Sequence, residues 1–167
     1  KDYPFGSGGT DEGRALLQII HDIAPKADLA FRTGFLTAND MAKGIKELQA
    51  AGCNVIIDDV TYITQPFLTD GVIAQAVDYV AAQGVTYISA AGNYGNLSYE
   101  GTFTPVTAPS GINGSVHDFG GGDITQGVTL GVGSYTVVLQ WEDNWVPPGA
   151  ANDLDIYFTD SNGNSLF

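Results

Sequence analysis

The sequence predicts an α/β fold, a doubly wound parallel sheet, followed by an antiparallel β-sandwich of jelly-roll type. Three observations support this. Helical and strand patterns alternate from Thr10 to Gly92. After about Asn96 the helical period is lost, and short strand patterns alternate with glycine-rich turns. The chain has 167 residues and is 44% hydrophobic, which is enough to bury a core.

The first half contains three helical and three strand patterns. Thr10 or Asp11 is expected to cap the first helix, Asn39 or Asp40 the second and Asp70 the third. Cys53–Ile57 is a short apolar run, typical of a strand covered on both faces. The predicted helices end at Pro25, Gly52 and Gly84, and the predicted strands are Leu29–Phe35, Cys53–Ile57 and Val85–Ala91.

The second half contains about five strand patterns, fewer than the seven or eight of a complete sandwich. The sandwich is therefore expected to be partial, and so is the parallel sheet. We predict an α/β domain over residues 1–98, a linker over 99–112 and a sandwich domain over 113–167. The predicted strands are Val116–Phe119, Ile124–Leu130, Ser134–Trp141, Asp153–Thr159 and Ser165–Phe167.

The composition restricts the classes of partner. Six basic and 19 acidic residues give a net charge of -13, which repels phosphate backbones and disfavours a nucleic-acid partner. No apolar run is long enough to span a bilayer. Cys53 is the single cysteine, so no intrachain disulfide can form. The oligomeric state is not indicated.

Three motifs each allow two interpretations, one chemical and one purely structural. Asn93, in Ser-Ala-Ala-Gly-Asn-Tyr-Gly after a strand, can donate to an oxyanion or can belong to an ordinary Gly-Asn turn. Glu12, at the start of the first helix, can act as a general base or can simply favour the helix dipole. Asp58 and Asp59 can couple their titration or bind a cation, or can terminate a strand.

Four segments occur in an order that resembles the central part of a subtilisin-like serine peptidase, a subtilase. They are Asp11–Arg14, His21–Pro25, the predicted strand Leu29–Phe35 and Ala90–Asn93. The resemblance covers about residues 8 to 98. It implies a hydrolase that cleaves peptide bonds by acyl transfer, with a peptide or protein as substrate.

The chain departs from the subtilase pattern at the catalytic residues. Glu12 stands where subtilases have the catalytic histidine; the related sedolisins use a glutamate there, with an aspartate four residues later, where this chain has Leu16. Asn93 follows the subtilisin pattern for the oxyanion donor. The catalytic Asp and Ser motifs are not found, so we expect an internal fragment of a longer peptidase, inactive in isolation. The resemblance implies Glu12 as general base, Asn93 as oxyanion donor, and a peptide-binding cleft along Asp59, Val60 and Thr61 and along Ala90, Ala91 and Gly92.

The second half resembles the pre-peptidase-type sandwich modules of secreted bacterial peptidases, on Val116–Phe119, Leu139–Trp141 and Asn152–Tyr157. The resemblance implies a secreted or cell-surface bacterial protein. No cofactor is expected. Asp153 and Asp155 alternate along a strand pattern and, with Asp160 or Asn152, are weak candidates for Ca²⁺ ligands; a solvated face is the alternative.

Two non-enzymatic functions compete with the peptidase. Because glutamate replaces histidine, the fold can be catalytically degenerate and act as a surface module that binds peptide or glycan. The sandwich can also act as a carbohydrate- or calcium-binding module that determines location.

Overall fold

The computed structural model describes residues 9–143 and 149–166. The chain divides into two compact units, the first comprising residues up to Gly92 together with those from Val138 onward, and the second comprising Asn93–Val137. The mixed α/β class is confirmed, whereas the predicted domain boundaries stay a prediction. The first unit contains α1 (Glu12–Ile23), α2 (Ala38–Ala50), β1 (Val55–Asp58), α3 (Val72–Ala81) and β2 (Thr86–Ser89), and the second contains β3 (Pro105–Thr107) and β4 (Ser115–His117).

A parallel two-stranded sheet organises the first unit. β1 and β2 pair in parallel, with Val55 opposite Thr86 and Asp58 opposite Ser89. Because parallel neighbours cannot be joined by a tight turn, α3 forms the crossover between them. The predicted parallel pairing of these two strands is thus confirmed, over a shorter span than the sequence pattern indicated.

The core lies on one face of this sheet. Side chains alternate along a strand, so Ile56 points to the helices while its neighbours Val55 and Ile57 are 52% and 37% exposed. The expectation that this strand is covered on both faces is therefore wrong for the described residues. The buried core consists of Met41 and Ile45 from α2, Ile56 from β1, Ala76 and Val80 from α3, and Val85 just before β2.

The helix starts depend on local capping. Asp11 precedes α1 as predicted, although its side chain makes no capping hydrogen bond. α2 is capped by Thr37, whose side chain accepts a hydrogen bond from the backbone N–H of Asp40 at 3.1 Å, so the predicted caps at Asn39 and Asp40 are wrong. Gly71, not Asp70, precedes α3.

α1 is amphipathic but buries none of its residues; Ile19 is 57% and Ile23 80% exposed. It is also short, and none of the helices in residues 9–143 and 149–166 has the length and apolarity needed to cross a bilayer.

Several predicted strands are not strands in the structure. Leu29–Phe35 has no ladder partner among the described residues. Three predicted strands of the second half are also not strands in the structure: Ile124–Leu130, Ser134–Trp141 and Asp153–Thr159. A strand exists only where a neighbour offers its backbone groups, which a sequence pattern does not reveal. In the second unit, β4 overlaps the predicted Val116–Phe119 and pairs antiparallel with β3, inside the predicted linker. Of Ser165–Phe167, Ser165 forms a single bridge with Thr159, and Phe167 lies outside the described residues.

A buried arginine attaches the segment before α2 to that helix. Arg32, whose side chain is 4% exposed, donates two hydrogen bonds to the Asp40 carboxylate, at 2.7 and 2.9 Å, and a third to Glu47 at 2.8 Å. These bonds, those to Asp40 first, raise the pKa of Arg32 further above its already high value. The helix provides room through Gly44, where an added Cβ would lie 2.9 Å from Arg32 Cγ.

We expect Arg32→Lys to lower the free energy of unfolding by about 1–3 kcal/mol, because lysine cannot donate the paired hydrogen bonds to Asp40. Urea denaturation of the whole chain measures this. Lys43→Ala is the matched control: its ammonium group lies 3.6 Å from Glu47 and is 67% exposed, so its loss should change stability by no more than about 0.5 kcal/mol. Equal effects of the two substitutions would contradict a structural role for the buried pair.

Candidate functional site

The carboxyl ends of β1 and β2 bring two predicted substrate-binding segments together. Asp58 and Ser89 are opposite each other, and the N–H of Ala90 donates to the Asp58 carbonyl oxygen at 3.2 Å. Asp59–Thr61 and Ala90–Gly92 therefore leave the sheet from adjacent positions. In open α/β sheets, this edge is where ligands bind.

Asp58 organises the polar groups at this edge. Its Oδ1 accepts a hydrogen bond from the N–H of Val60 at 3.2 Å and another from the Ser89 hydroxyl at 3.1 Å. The carboxylate thereby links the loop after β1 to the end of β2. Asp59 is exposed and makes no hydrogen bond with the described residues. The two aspartates, adjacent in sequence, therefore have different roles.

Two tyrosines lie beneath this edge. The Tyr62 hydroxyl donates to the carbonyl oxygen of Gly34, and burial, with a smaller contribution from the Asp40 charge, raises its pKa. The Tyr87 hydroxyl is buried close to the Asp58 carboxylate. Burial raises the pKa of Tyr87 well above its usual range, and the nearby Asp58 carboxylate raises it further. Both hydroxyls therefore stay protonated at neutral pH.

The segment after β2 leaves its backbone open to a ligand. Ala91 and Gly92 are exposed, and their backbone groups make no hydrogen bond with the described residues. Gly92 has φ +75°, a conformation that favours glycine and turns the chain immediately before Asn93. Free backbone groups beside a sheet edge can receive an extended peptide as an added strand.

The two predicted catalytic residues belong to different units. Glu12 is the first residue of α1 and is exposed, beside the ion pair of Arg14 with Asp11. Asn93 opens the second unit in an exposed bend, four residues after the end of β2. Neither side chain makes a hydrogen bond with the described residues, so each is accessible. Their catalytic roles stay predictions.

His117 is occupied by hydrogen bonds and aromatic contacts. Its Nδ1 accepts from the N–H of Thr104 at 3.0 Å, and its Nε2 lies 2.9 Å from the Tyr99 hydroxyl. Rings of Phe103 and Phe119 pack against it, at centroid distances of 5.6 and 4.6 Å. Both ring nitrogens are thus used within the second unit, which leaves neither free to ligate a metal.

The weak calcium candidates are not brought together. Asp153 and Asp155 are exposed, and Asn152 instead bonds to Asp143 through its N–H and its side chain. Asp160 accepts hydrogen bonds within its own turn, from Asn164 and from the backbone N–H of Asn162. No group of three metal-ligating residues occurs in the part of the chain that the structure describes.

Sequence reasoning missed the role of Gln140. Its side chain accepts from the N–H of Phe67 at 2.8 Å and donates to the carbonyl oxygens of Gln65 at 2.9 Å and Ile63 at 3.3 Å. These bonds join the loop after β1 to the segment around Gln140. In the sequence, Gln140 belongs to Leu139–Trp141, a segment that resembles a sandwich strand, and that pattern does not indicate bonds to a distant loop.

No family model matches the chain, and neither the curated proteins nor the solved structures include a significant match.

We expect Asp58→Ala to lower the free energy of unfolding by about 1–3 kcal/mol, because it leaves the N–H of Val60 and the hydroxyl of Ser89 without their acceptor. The neighbouring Asp59→Ala should change it by no more than about 0.5 kcal/mol. Chemical denaturation of both variants provides the comparison. A larger loss in the Asp59 variant would show that the assignment of roles to the two carboxylates is reversed.

We also expect Asn164→Ala to raise the pKa of Asp160. The Asn164 side chain is the first cause that lowers this pKa, followed by backbone N–H groups of the same turn. Because the pKa is lowered in the folded state, this turn is stabilised above the unfolded-state pKa and loses that stabilisation as pH falls through the folded value. NMR titration of the Asp160 carboxyl tests this; an unchanged pKa in the variant would contradict it.

Proposed function

We propose that this chain is part of a serine-type endopeptidase of subtilase type, whose catalytic Asp and Ser lie outside residues 1–167. The observation that carries the proposal is the parallel register of β1 and β2. It sets Asp59–Thr61 and Ala90–Gly92, the two segments expected to bind substrate, at one edge of the sheet. An extended peptide that lies along Ala91 and Gly92 would find unpaired backbone groups there.

The uncovered apolar surfaces agree with a larger fold around this chain. The sheet face opposite the core exposes Val55, Ile57 and Ile88, and α1 buries no residue. In a doubly wound sheet, further helices and strands would cover such surfaces. The proposal therefore places this chain within a larger parallel sheet. A secreted or cell-surface bacterial location is part of the proposal through the sequence resemblance of the second half alone.

The proposed chemistry is acyl transfer. The serine hydroxyl attacks the peptide carbonyl carbon, and Glu12 takes the hydroxyl proton and returns it to the leaving amine. Asn93 donates a side-chain N–H to the oxyanion that forms on the carbonyl oxygen. Water then hydrolyses the acyl-enzyme. Since the proposal places the serine elsewhere, we expect the chain in isolation to be inactive.

We expect Asn93→Ala in the full-length protein to lower kcat by about 10²–10³-fold with little change in KM, because the lost donor acts mainly on the transition state. Asn96→Ala is the matched control, an exposed asparagine three residues further on, and should retain full activity. Steady-state cleavage of a fluorogenic peptide measures both. If the Asn93 variant keeps the wild-type kcat, Asn93 is a turn residue and not an oxyanion donor.

We expect Glu12→Gln to abolish the acidic optimum of the full-length protein's pH–rate profile. The acidic optimum is expected because Glu12 would work as one of two carboxyls that share a proton, a pair that exists at acidic pH and is lost when both carboxyls ionise. The isolated chain should not cleave casein at any pH. A full-length protein that fails to react with a fluorophosphonate serine probe and does not cleave peptides would support the degenerate binding module instead.

A further inference from the structure

Asparagine is followed directly by glycine at two places in the chain, Asn113–Gly114 and Asn162–Gly163. In such a pair the backbone nitrogen of the glycine can attack the side-chain amide of the asparagine, because glycine has no side chain to obstruct the approach and adopts a wide range of backbone conformations. The attack requires a glycine N–H that is not held in a hydrogen bond. The structure treats the two pairs differently in this respect.

Asn113 and Gly114 lie in the loop that joins β3 to β4. The last turn of this loop closes at Ile112, whose N–H donates to the carbonyl oxygen of Pro109 at 3.2 Å, and β4 begins at Ser115. Between them, Asn113 and Gly114 are exposed. Neither the N–H of Gly114 nor the side chain of Asn113 makes a hydrogen bond with the described residues. The attacking nitrogen and its target are therefore both unrestrained.

Asn162 and Gly163 lie instead in a turn that Asp160 closes. The Gly163 N–H donates to the carbonyl oxygen of Asp160 at 3.0 Å, and the Asn162 N–H donates to the carboxylate of the same residue at 2.8 Å. The carboxylate also accepts from the N–H and the side chain of Asn164, each at 2.9 Å. Attack by the Gly163 nitrogen requires this turn to open first.

Hydrogen bonding is the feature that distinguishes the two pairs. Both glycines have the positive φ that favours glycine, +91° at Gly114 and +82° at Gly163, and a Cβ placed on either would meet no atom within 4 Å. Asn162 and Gly163 are also exposed, as Asn113 and Gly114 are. Access to water and backbone conformation therefore do not separate the pairs, whereas the bonds of the Asp160 turn do.

We propose that Asn113 deamidates spontaneously in the folded chain, while the Asp160 turn protects Asn162. The Gly114 nitrogen forms a bond to Cγ of Asn113 and the bond from Cγ to Nδ2 breaks, so that ammonia leaves with the former amide proton and a succinimide ring remains. Water then opens the ring at either carbonyl carbon, which gives aspartate or isoaspartate at position 113. The reaction uses water alone and does not depend on the proposed peptidase activity.

The reaction changes the chain just before β4. Both products carry one additional negative charge, in a chain whose net charge is already -13. The isoaspartate product also routes the main chain through the former side-chain carbons, which lengthens it by one carbon shortly before Ser115 enters the pairing with β3. The modification site therefore lies where it alters both the charge and the path of the loop between β3 and β4.

The test follows both asparagines in one sample of the whole chain, kept folded in a mildly alkaline buffer at physiological temperature. Samples withdrawn over time are digested, and mass spectrometry measures the conversion of amide to acid at each position. We expect conversion at Asn113 to be at least about tenfold faster than at Asn162, because attack at Asn162 must first open one or more hydrogen bonds. In guanidinium chloride the two rates should agree within about threefold, since the unfolded chain no longer holds either pair.

A substitution in the protecting turn gives a second test. Asp160→Ala removes the carboxylate that holds this turn, and should accelerate conversion at Asn162 about 3–10-fold without changing the rate at Asn113. Asp153→Ala is the matched control, because Asp153 is exposed and makes no hydrogen bond with the described residues. It should leave both rates unchanged.

Three results would overturn the proposal. One is a rate at Asn162 that equals or exceeds the rate at Asn113 in the folded chain. Another is a difference between the two rates that is as large in guanidinium chloride as in the folded chain, because it would then come from the neighbouring residues and not from the fold. The third is an unchanged rate at Asn162 in a folded Asp160→Ala variant, which would show that the turn gives no protection.

Discussion

The alternation of side chains in the β1–β2 pair is the constraint on which the rest of the first unit depends. Ile56 points to one face of the sheet. On that face it shares a core with the fully buried Val80 of α3 and with Met41 and Ile45 of α2. Both helices are thereby committed to a single face of the sheet. The opposite face, with Val55 and Ile57, stays exposed among the described residues, and this asymmetry is what a larger sheet would remove.

The same parallel pairing determines the candidate site. Because both strands run in one direction, their carboxyl ends finish together, and Asp58 can accept from Ser89 across the pair and from Val60 along the chain. One carboxylate therefore fixes the starting point of both segments that are expected to bind substrate.

Side-chain to backbone hydrogen bonds replace regular ladders in much of the chain. The Gln140 side chain bonds to the backbone of the loop after β1, more than 70 residues earlier in the chain. The Asp160 carboxylate closes its own turn by accepting hydrogen bonds from two backbone N–H groups. Such bonds satisfy buried or turn backbone groups where no neighbouring strand is present.

The sequence by itself determined the three helices, because the hydrophobic period is a local signal, although it misplaced the caps of α2 and α3. It also predicted the parallel pairing, from the alternation of strand and helix patterns. Tertiary structure decided which segments became strands. Leu29–Phe35 has the alternation but no ladder partner among the described residues, whereas Pro105–Thr107, inside the predicted linker, pairs with Ser115–His117. It also separated Asp58 from Asp59 and gave Gln140 its partners. These outcomes depend on which backbone groups meet in space, which no local pattern specifies.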